Sequence, residues 1–169
     1  MKATVIKVAS TTLAFAALAG AASTRSSKGA KGNPTQHATL GPYPGYDGPL
    51  VISGEVTVEY VGNDDALQYM LFSFDLRGVL PNCDKCGIHI HAGTGCDDPS
   101  QPLGHGWNTA SVNDHWTTAG GAFYSSDKRG RAKGSFYITN GFGTADNLGH
   151  AVVVHSQDGS RVGCGLLTE

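Results

Sequence analysis

The sequence predicts an all-β domain, a Greek-key antiparallel β-sandwich or flattened barrel of seven to eight short strands. The 169 residues include 24 Gly but only 15% charged residues, a composition that favours short strands joined by tight turns. Apolar and polar residues alternate in several short segments, which is the pattern of a half-buried strand. The sequence contains no long segment with the apolar period of an amphipathic helix.

The first 21 residues have the pattern of a secretory signal peptide. Lys2 and Lys7 form a basic start, residues 8–18 are mostly small and apolar, and residues 19–21 resemble a cleavage site. The apolar stretch is too short and too rich in Ala and Thr for a stable membrane span. We therefore expect an extracellular protein without a membrane span.

Residues 22–45 are predicted to be a flexible basic linker, because they are rich in Ser, Gly, Lys, Pro and Ala and show no period. Residues 46–169 are predicted to form the folded domain. All 14 acidic residues lie at or after Asp47, whereas five of the 12 basic residues precede it. The predicted domain is therefore acidic, which argues against nucleic acid as a partner.

Short alternating or apolar segments define the predicted strands. They cover residues 51–60, 67–76, 87–93, 116–125, 131–139, 151–155 and 161–167. The first two are predicted to pair as a hairpin, and so are the two strands that flank the turn at residues 127–130. Residues 94–114 form a long loop, and such a loop in a compact domain is usually functional or covalently pinned.

Residues 87–93 are the most informative segment for function. In a strand, His89 and His91 point to one face, about 7 Å apart, while the two intervening isoleucines point into the core. Two such imidazoles can bind one metal ion, although a half-buried strand with two exposed histidines fits the pattern equally well. His105 and His155 are two further candidate ligands. A site of three or four neutral imidazoles suits copper or zinc.

The four cysteines are candidates for disulfides because export is expected, and three pairings are possible. Cys83 and Cys86 have the Cys-x-x-Cys spacing close to His89. A local disulfide is preferred to a catalytic dithiol, since the surrounding βαβ pattern of such a dithiol is missing. A Cys/His metal site is also compatible with this spacing.

Five short motifs occur in a defined order along the chain. They are Gly-Ile-His-Ile-His-Ala-Gly, Gly-Thr-Gly-Cys, Gly-His, His-Ala-Val-Val-Val-His and Gly-Ser-Arg-Val-Gly-Cys-Gly. Over residues 51–167 this series resembles the copper/zinc superoxide dismutase family, and most closely its copper-only branch of superoxide-dismutase-like repeat proteins. The resemblance implies the β-sandwich of that family and conversion of superoxide to oxygen and hydrogen peroxide.

The resemblance also implies a role for each matched residue. His89, His91 and His155 match the copper ligands. His105 matches the fourth ligand, which bridges copper and zinc where zinc is present. Arg161 matches the arginine beside copper that receives the anion.

The resemblance further implies a disulfide between Cys96 and Cys164, which ties the long loop to the last strand. Without zinc, another group must orient the fourth ligand, because outer partners set the orientation of metal ligands. Asp114, Asp97 and Asp98 are the candidates for this role. The sequence does not choose among them.

Zinc is not expected. A closed zinc site needs four ligands, and the loop beyond the fourth copper ligand adds only His115 and Asp114 as candidates. Thr118 stands at about the position of the zinc aspartate of the family. The segment between His155 and Arg161 is short, so the family's charged guiding loop is missing and the copper is expected to be open to solvent.

Two functions therefore follow from the sequence. The first is a secreted copper-dependent superoxide dismutase that acts without zinc. The alternative is a non-catalytic extracellular protein that binds or buffers copper on the same fold. A secreted interaction domain with a vestigial site is a third interpretation, and the presence of His105 together with Arg161 argues against it. Arg161 also favours catalysis over copper storage, because a chelator needs no anion receptor.

Overall fold

The computed structural model describes residues 32–62, 69–117 and 119–169, and the predicted signal peptide lies outside these residues. The described part of the chain contains eight strands and one short helix. The strands are β1 Thr35–Pro42, β2 Ser53–Val61, β3 Tyr69–Arg77, β4 Cys86–Ile90, β5 Phe123–Tyr124, β6 Arg131–Ile138, β7 Ala151–His155 and β8 Arg161–Leu166. The helix, α1, covers Thr144–Asn147. None of the described helices is long and apolar enough to cross a membrane.

All eight strands belong to one sheet with the order β5-β4-β7-β8-β1-β2-β3-β6. Every pair of neighbours in it is antiparallel. The edge strands β5 and β6 approach each other, so the sheet is a nearly closed barrel. The predicted all-β class with seven to eight antiparallel strands is confirmed.

The β2–β3 half of the barrel has the alternation that the sequence shows. Val56, Val58 and Tyr60 of β2 are buried, and the residues between them are partly exposed. β2 and β3 pair along their whole length, which confirms the first predicted hairpin. The ring of Phe72 in β3 stacks on Phe136 in β6, with centroids 5.0 Å apart. Each large apolar side chain buried here contributes about 1.5–3 kcal/mol.

Residues 35–42 form β1, so the predicted linker is wrong for these residues. Gln36, Ala38 and Leu40 point into the interior, while the intervening residues are exposed. β1 pairs with both β2 and β8 and thereby joins the two halves of the barrel. The alternation covers only three inward positions and includes a polar one, so the sequence pattern alone does not distinguish this strand from a linker. The compact unit begins at Gly32.

The second predicted hairpin is also wrong. Of the described residues between 116 and 125, only Phe123 and Tyr124 are strand, and they pair with β4, whereas β6 pairs with β3. The predicted turn does form, because the Asp127 carboxylate accepts hydrogen bonds from two following main-chain amides. The two segments then pair with different strands, β4 and β3, instead of with each other, which a local turn pattern cannot reveal.

The β4, β7 and β8 strands carry the candidate site. Ile88 and Ile90 of β4 are buried in the main core, as predicted. β7 is buried on both faces, because Val153 packs in a second cluster with Cys164 on the outer face. The Cys96–Cys164 disulfide fastens the long loop over this face. The outer side of these strands is therefore partly shielded from water.

Candidate metal centre

His89, His91 and His155 meet on the outer face of β4 and β7. One ligand nitrogen from each lies within 4.8 Å of the other two. The Nε2 atoms of His91 and His155 are 3.4 Å apart, and the ring centroids of His89 and His155 are 4.8 Å apart. Strand parity places the first two histidines on one face, and the antiparallel pairing of β4 with β7 adds the third.

Main-chain carbonyls orient two of these imidazoles. Nδ1 of His91 donates to the carbonyl of Leu103 at 2.9 Å, and Nδ1 of His155 donates to the carbonyl of Gly159 at 3.0 Å. A carbonyl only accepts, so the proton resides on Nδ1 in both rings and Nε2 keeps a free lone pair. This is the tautomer of a histidine that binds a metal through Nε2.

Both ring nitrogens of His89 are buried, and neither has a hydrogen-bond partner among the described residues. Leaving a buried polar atom unpaired costs about 1–3 kcal/mol, and a bound metal ion would satisfy one of them. Gly87 makes room for this ring, because a Cβ atom at that position would lie 2.7 Å from Cε1 of His89. The residues present therefore fit a metal ion.

All three histidines are held in their neutral form. Burial, together with the neighbouring histidines, lowers the pKa of His89 to about 2. Burial also lowers the pKa of His91 to about 3, although the hydrogen bond to Leu103 opposes this shift. The pKa of His155 is lowered as well, chiefly by burial. Metal ligands must be deprotonated, so the cluster is ready to bind an ion at neutral pH.

His105 lies beside this cluster on the long loop. Its ring centroid is 4.4 Å from that of His89 and 5.4 Å from that of His91. Its Nδ1 donates to Oδ2 of Asp114 at 2.8 Å. Of the three acidic candidates that the sequence offered, the structure therefore places Asp114 next to His105. Because the carboxylate accepts the hydrogen bond from Nδ1–H, the proton of the neutral ring resides on Nδ1 and Nε2 of His105 is left free.

Arg161 lies opposite His155 in the register of β7 and β8. Its Nη1 donates to the hydroxyl of Tyr43 at 3.0 Å, and its Nη2 donates to the carbonyl of Leu103 at 2.6 Å. These bonds hold the guanidinium at the opening that His91 and His155 also line. The guanidinium has five N–H donors and is permanently charged, so it can still bind an anion there.

The two disulfides in the structure are Cys96–Cys164 and Cys83–Cys86. The first spans 68 residues and fastens the start of the long loop to β8. The second closes the turn that leads into β4, and Cys86 lies beside His89 on a second side of the cluster. Both disulfides therefore act on segments that carry site residues.

The residues considered for a second metal do not join the cluster. Nδ1 of His115 donates to the carbonyl of Thr139 at 3.1 Å, and Asp114 is engaged by His105. Thr118 lies outside the described residues. Over residues 32–62, 69–117 and 119–169, the three histidines are the one group of three or more potential ligands that converge.

No protein-family model matches this sequence, and no curated protein matches it. The fold, however, has the superoxide-dismutase-like architecture. Two solved structures with a similar fold are mutant forms of superoxide dismutase 5 from Candida albicans. One has a TM-score of 0.53 and 14% identity, and the match covers 80% of this chain and 91% of that chain. The other has a TM-score of 0.51 and 14% identity, with 82% and 91% covered.

Proposed function

We propose that this protein is a secreted, copper-dependent superoxide dismutase that works without zinc. His89, His91 and His155 would hold the copper, with His105 as the fourth ligand. The observation that carries this proposal is the convergence of three neutral imidazoles, two of them buried and that of His155 partly buried, at an opening that also presents the Arg161 guanidinium. The dismutase-like fold supports the proposal but does not by itself establish an activity.

The donor set suits copper. Neutral imidazole nitrogens are good ligands for both copper and zinc, and a set of imidazoles without carboxylate or thiolate tolerates either copper oxidation state. Copper bound there would supply the one-electron redox change through which one superoxide is oxidised to oxygen and a second, with two protons, is reduced to hydrogen peroxide. The protein must then supply anion binding and proton delivery.

Arg161 is suited to anion binding. Its guanidinium is fixed by Tyr43 and Leu103, so it lies at the rim of the opening without having to reorganise. A fixed positive charge in a partly dry opening attracts a small anion and raises its association rate. The rest of the domain is net acidic and therefore repels anions. A small anion is thus attracted to the opening and not to other parts of the surface.

His105 is suited to proton delivery. Asp114 fixes the proton on Nδ1 of His105 at 2.8 Å, and Nε2 faces away from that carboxylate. Nε2 can therefore accept a proton from water and release it to the reduced product without disturbing the Nδ1 bond. The same nitrogen can alternate between holding a proton and acting as a ligand.

The alternative, a copper-binding protein without turnover, is favoured by one feature. The turn between His155 and Arg161 is short and is closed by a hydrogen bond from the Ser156 amide to the Ser160 carbonyl. This compact turn does not extend over the opening to guide an anion. The fixed guanidinium favours the enzyme, because a copper store has no use for an anion receptor.

A superoxide-decay assay on the copper-loaded domain separates the two functions. We expect fast decay with the unchanged protein. Arg161→Ala should retain copper but slow the second-order rate by about ten-fold and weaken its dependence on ionic strength, because charge focusing is worth about 10–10³-fold. His155→Ala should lose the copper itself.

Arg77→Ala removes an exposed arginine from β3 and serves as the control, with an unchanged rate. If the fully copper-loaded protein does not accelerate superoxide decay, the proposed enzymatic activity is wrong. The non-catalytic copper-binding function is then the one supported.

A further inference from the structure

A buried hydrogen-bond cluster lies behind the loop that carries His105. The carbonyl oxygen of Gly106 accepts two hydrogen bonds, from Nε1 of Trp116 at 2.8 Å and from Nδ2 of Asn140 at 3.0 Å. Trp116 and Asn140 are both completely buried. We call this arrangement, formed by Trp116 and Asn140 on the Gly106 carbonyl, the Gly106 clamp. Two buried side-chain donors on one loop carbonyl fix that carbonyl firmly, since losing either would leave a buried group short of partners.

The clamp acts on the residue directly after His105. The amide of Gly106 donates to the carbonyl of Ile90 at 2.9 Å, so the main chain on both sides of Gly106 is fixed. A Cβ atom at this position would lie 2.9 Å from main-chain atoms of His91, which is why the loop can approach the strand so closely only with glycine. The main chain of His105 is thereby held against β4.

Trp116 also acts on the support of the His105 ring. Its main-chain amide donates to Oδ1 of Asp114 at 2.9 Å, while Oδ2 of the same carboxylate accepts the Nδ1 proton of His105. One residue therefore fixes both the carboxylate that holds the ring and the carbonyl that holds the main chain. The contacts form a closed circuit through His105, Asp114, Trp116 and Gly106.

Asn140 connects this circuit to the core. Its Nδ2 also donates to Oδ1 of Asn147 at 2.8 Å, and Nδ2 of Asn147 contacts the sulfur of Met70 at 3.6 Å. The carbonyl of Asn140 accepts from the amide of Asn108 at 2.7 Å, which ties it to the loop a second time. Buried polar networks whose members are satisfied are rigid. The network therefore fixes the position of the loop relative to β3.

We infer that Trp116 and Asn140 are positioning residues that keep His105 at the histidine cluster whether or not it is bonded to a metal. The role in copper chemistry rests on the proposed function, but the positioning itself is a property of the metal-free chain. The clamp would thus orient the loop histidine without the help of a second metal ion. His105 can then leave and regain a ligand position without losing its orientation.

The test uses three variants of the full chain after removal of metal with a chelator. Asn140→Leu and Trp116→Phe each delete one clamp donor and keep most of the side-chain volume. Gln36→Leu is the matched control, because Gln36 is also a buried amide but bonds to the Thr144 carbonyl at 2.8 Å and to Tyr60, away from His105. The readout is the solvent-exchange rate of the His105 Nδ1 proton in ¹H–¹⁵N spectra.

We expect each clamp variant to speed this exchange by about five-fold, the ratio that corresponds to one net hydrogen bond, and the double variant to speed it further. Gln36→Leu should leave the rate unchanged. Equal exchange rates in clamp and control variants, or no change in any of them, would overturn the inference. If Asn140→Leu does not fold, Trp116→Phe decides alone, because it deletes the same kind of donor without leaving Asn147 unpaired.

A second readout is the copper midpoint potential of the loaded protein. Clamp variants should raise it, because a weaker hold on a fourth nitrogen favours the lower coordination number of Cu(I), whereas Gln36→Leu should not. An unchanged potential in both clamp variants would count against the inference. If the unchanged protein lacks superoxide activity while the exchange rates behave as expected, the proposed function fails and the clamp stands.

Discussion

The two halves of the candidate metal centre are built in different ways. In the strand half, His89, His91 and His155 are placed by β4, β7 and the ladder between them. In the loop half, His105 and Asp114 are placed by side-chain hydrogen bonds and by the disulfide that fastens the loop. Strand geometry depends little on any one side chain, whereas loop geometry depends on particular ones. The loop half should therefore be the more sensitive to single substitutions outside the ligands.

One carbonyl couples the two halves. The Leu103 oxygen accepts from Nδ1 of His91 and from Nη2 of Arg161. Leu103 has φ +56°, the left-handed region, which costs a residue with a side chain about 1–2 kcal/mol. The two hydrogen bonds offset that cost, so His91 and Arg161 share one strained support.

The largest expected effect concerns the covalent support of the loop half. Replacing both Cys96 and Cys164 with Ser should lower the free energy of unfolding by about 4 kcal/mol, because the bond closes a loop with a sequence separation of 68 residues. The same double replacement at Cys83 and Cys86, with a separation of 3, should cost about 2 kcal/mol. Denaturant unfolding of both double variants measures the difference.

The two double variants also separate the halves of the site. Loss of Cys96–Cys164 should broaden the ring resonances of His105 while leaving those of His89 sharp. Equal broadening of both rings would show that the halves are not independent, and equal losses of stability would show that loop length does not set the contribution.

The second-largest effect concerns the strand half. The free energy of unfolding of the metal-free protein should depend on pH. Burial lowers the pKa of His89 to about 2 in the folded state, against about 6.5 in the unfolded chain. The unfolded state therefore binds more protons below about pH 6.5, so stability is full above that pH and falls as the pH drops. Between about pH 7 and pH 5, His89 alone should cost the metal-free protein about 2 kcal/mol, at 1.36 kcal/mol per pKa unit.

Urea unfolding of the metal-free protein at the two pH values checks this, with His89→Gln as the comparison. Glutamine does not titrate, so the variant should lose about that much of the pH dependence. His37→Gln changes an exposed histidine of β1 and should leave the dependence intact. Some pH dependence should remain in His89→Gln, because burial also lowers the pKa of His91 and His155. An undiminished pH dependence in His89→Gln would contradict the assignment to His89.

The sequence predicts the strand half much better than the loop half, for a physical reason. Strand parity alone places His89 and His91 on one face, and β7 was predicted with the bounds that the structure shows. His105 was found through a family resemblance, and Asp114 only as one of three acidic residues. Supports such as the Leu103 carbonyl and the Asn140 amide leave no periodic signal, because a main-chain acceptor or a buried polar contact can involve almost any segment.

The smallest effect that we predict tests the loop half through one side chain. Two of the strand imidazoles, those of His91 and His155, are oriented by main-chain carbonyls, which no substitution removes. His105 is instead oriented by the Asp114 carboxylate. Asp114→Ala should therefore lower copper affinity by about ten-fold, the low end for loss of an outer partner of a ligand, as measured by competition with a chelator. Asp98→Ala is the matched control, since this exposed carboxylate bonds to Ser100 on the same loop. An equal loss in the two variants would mean that the loop acts through its overall charge, and an unchanged affinity in Asp114→Ala would mean that strand histidines alone hold the ion.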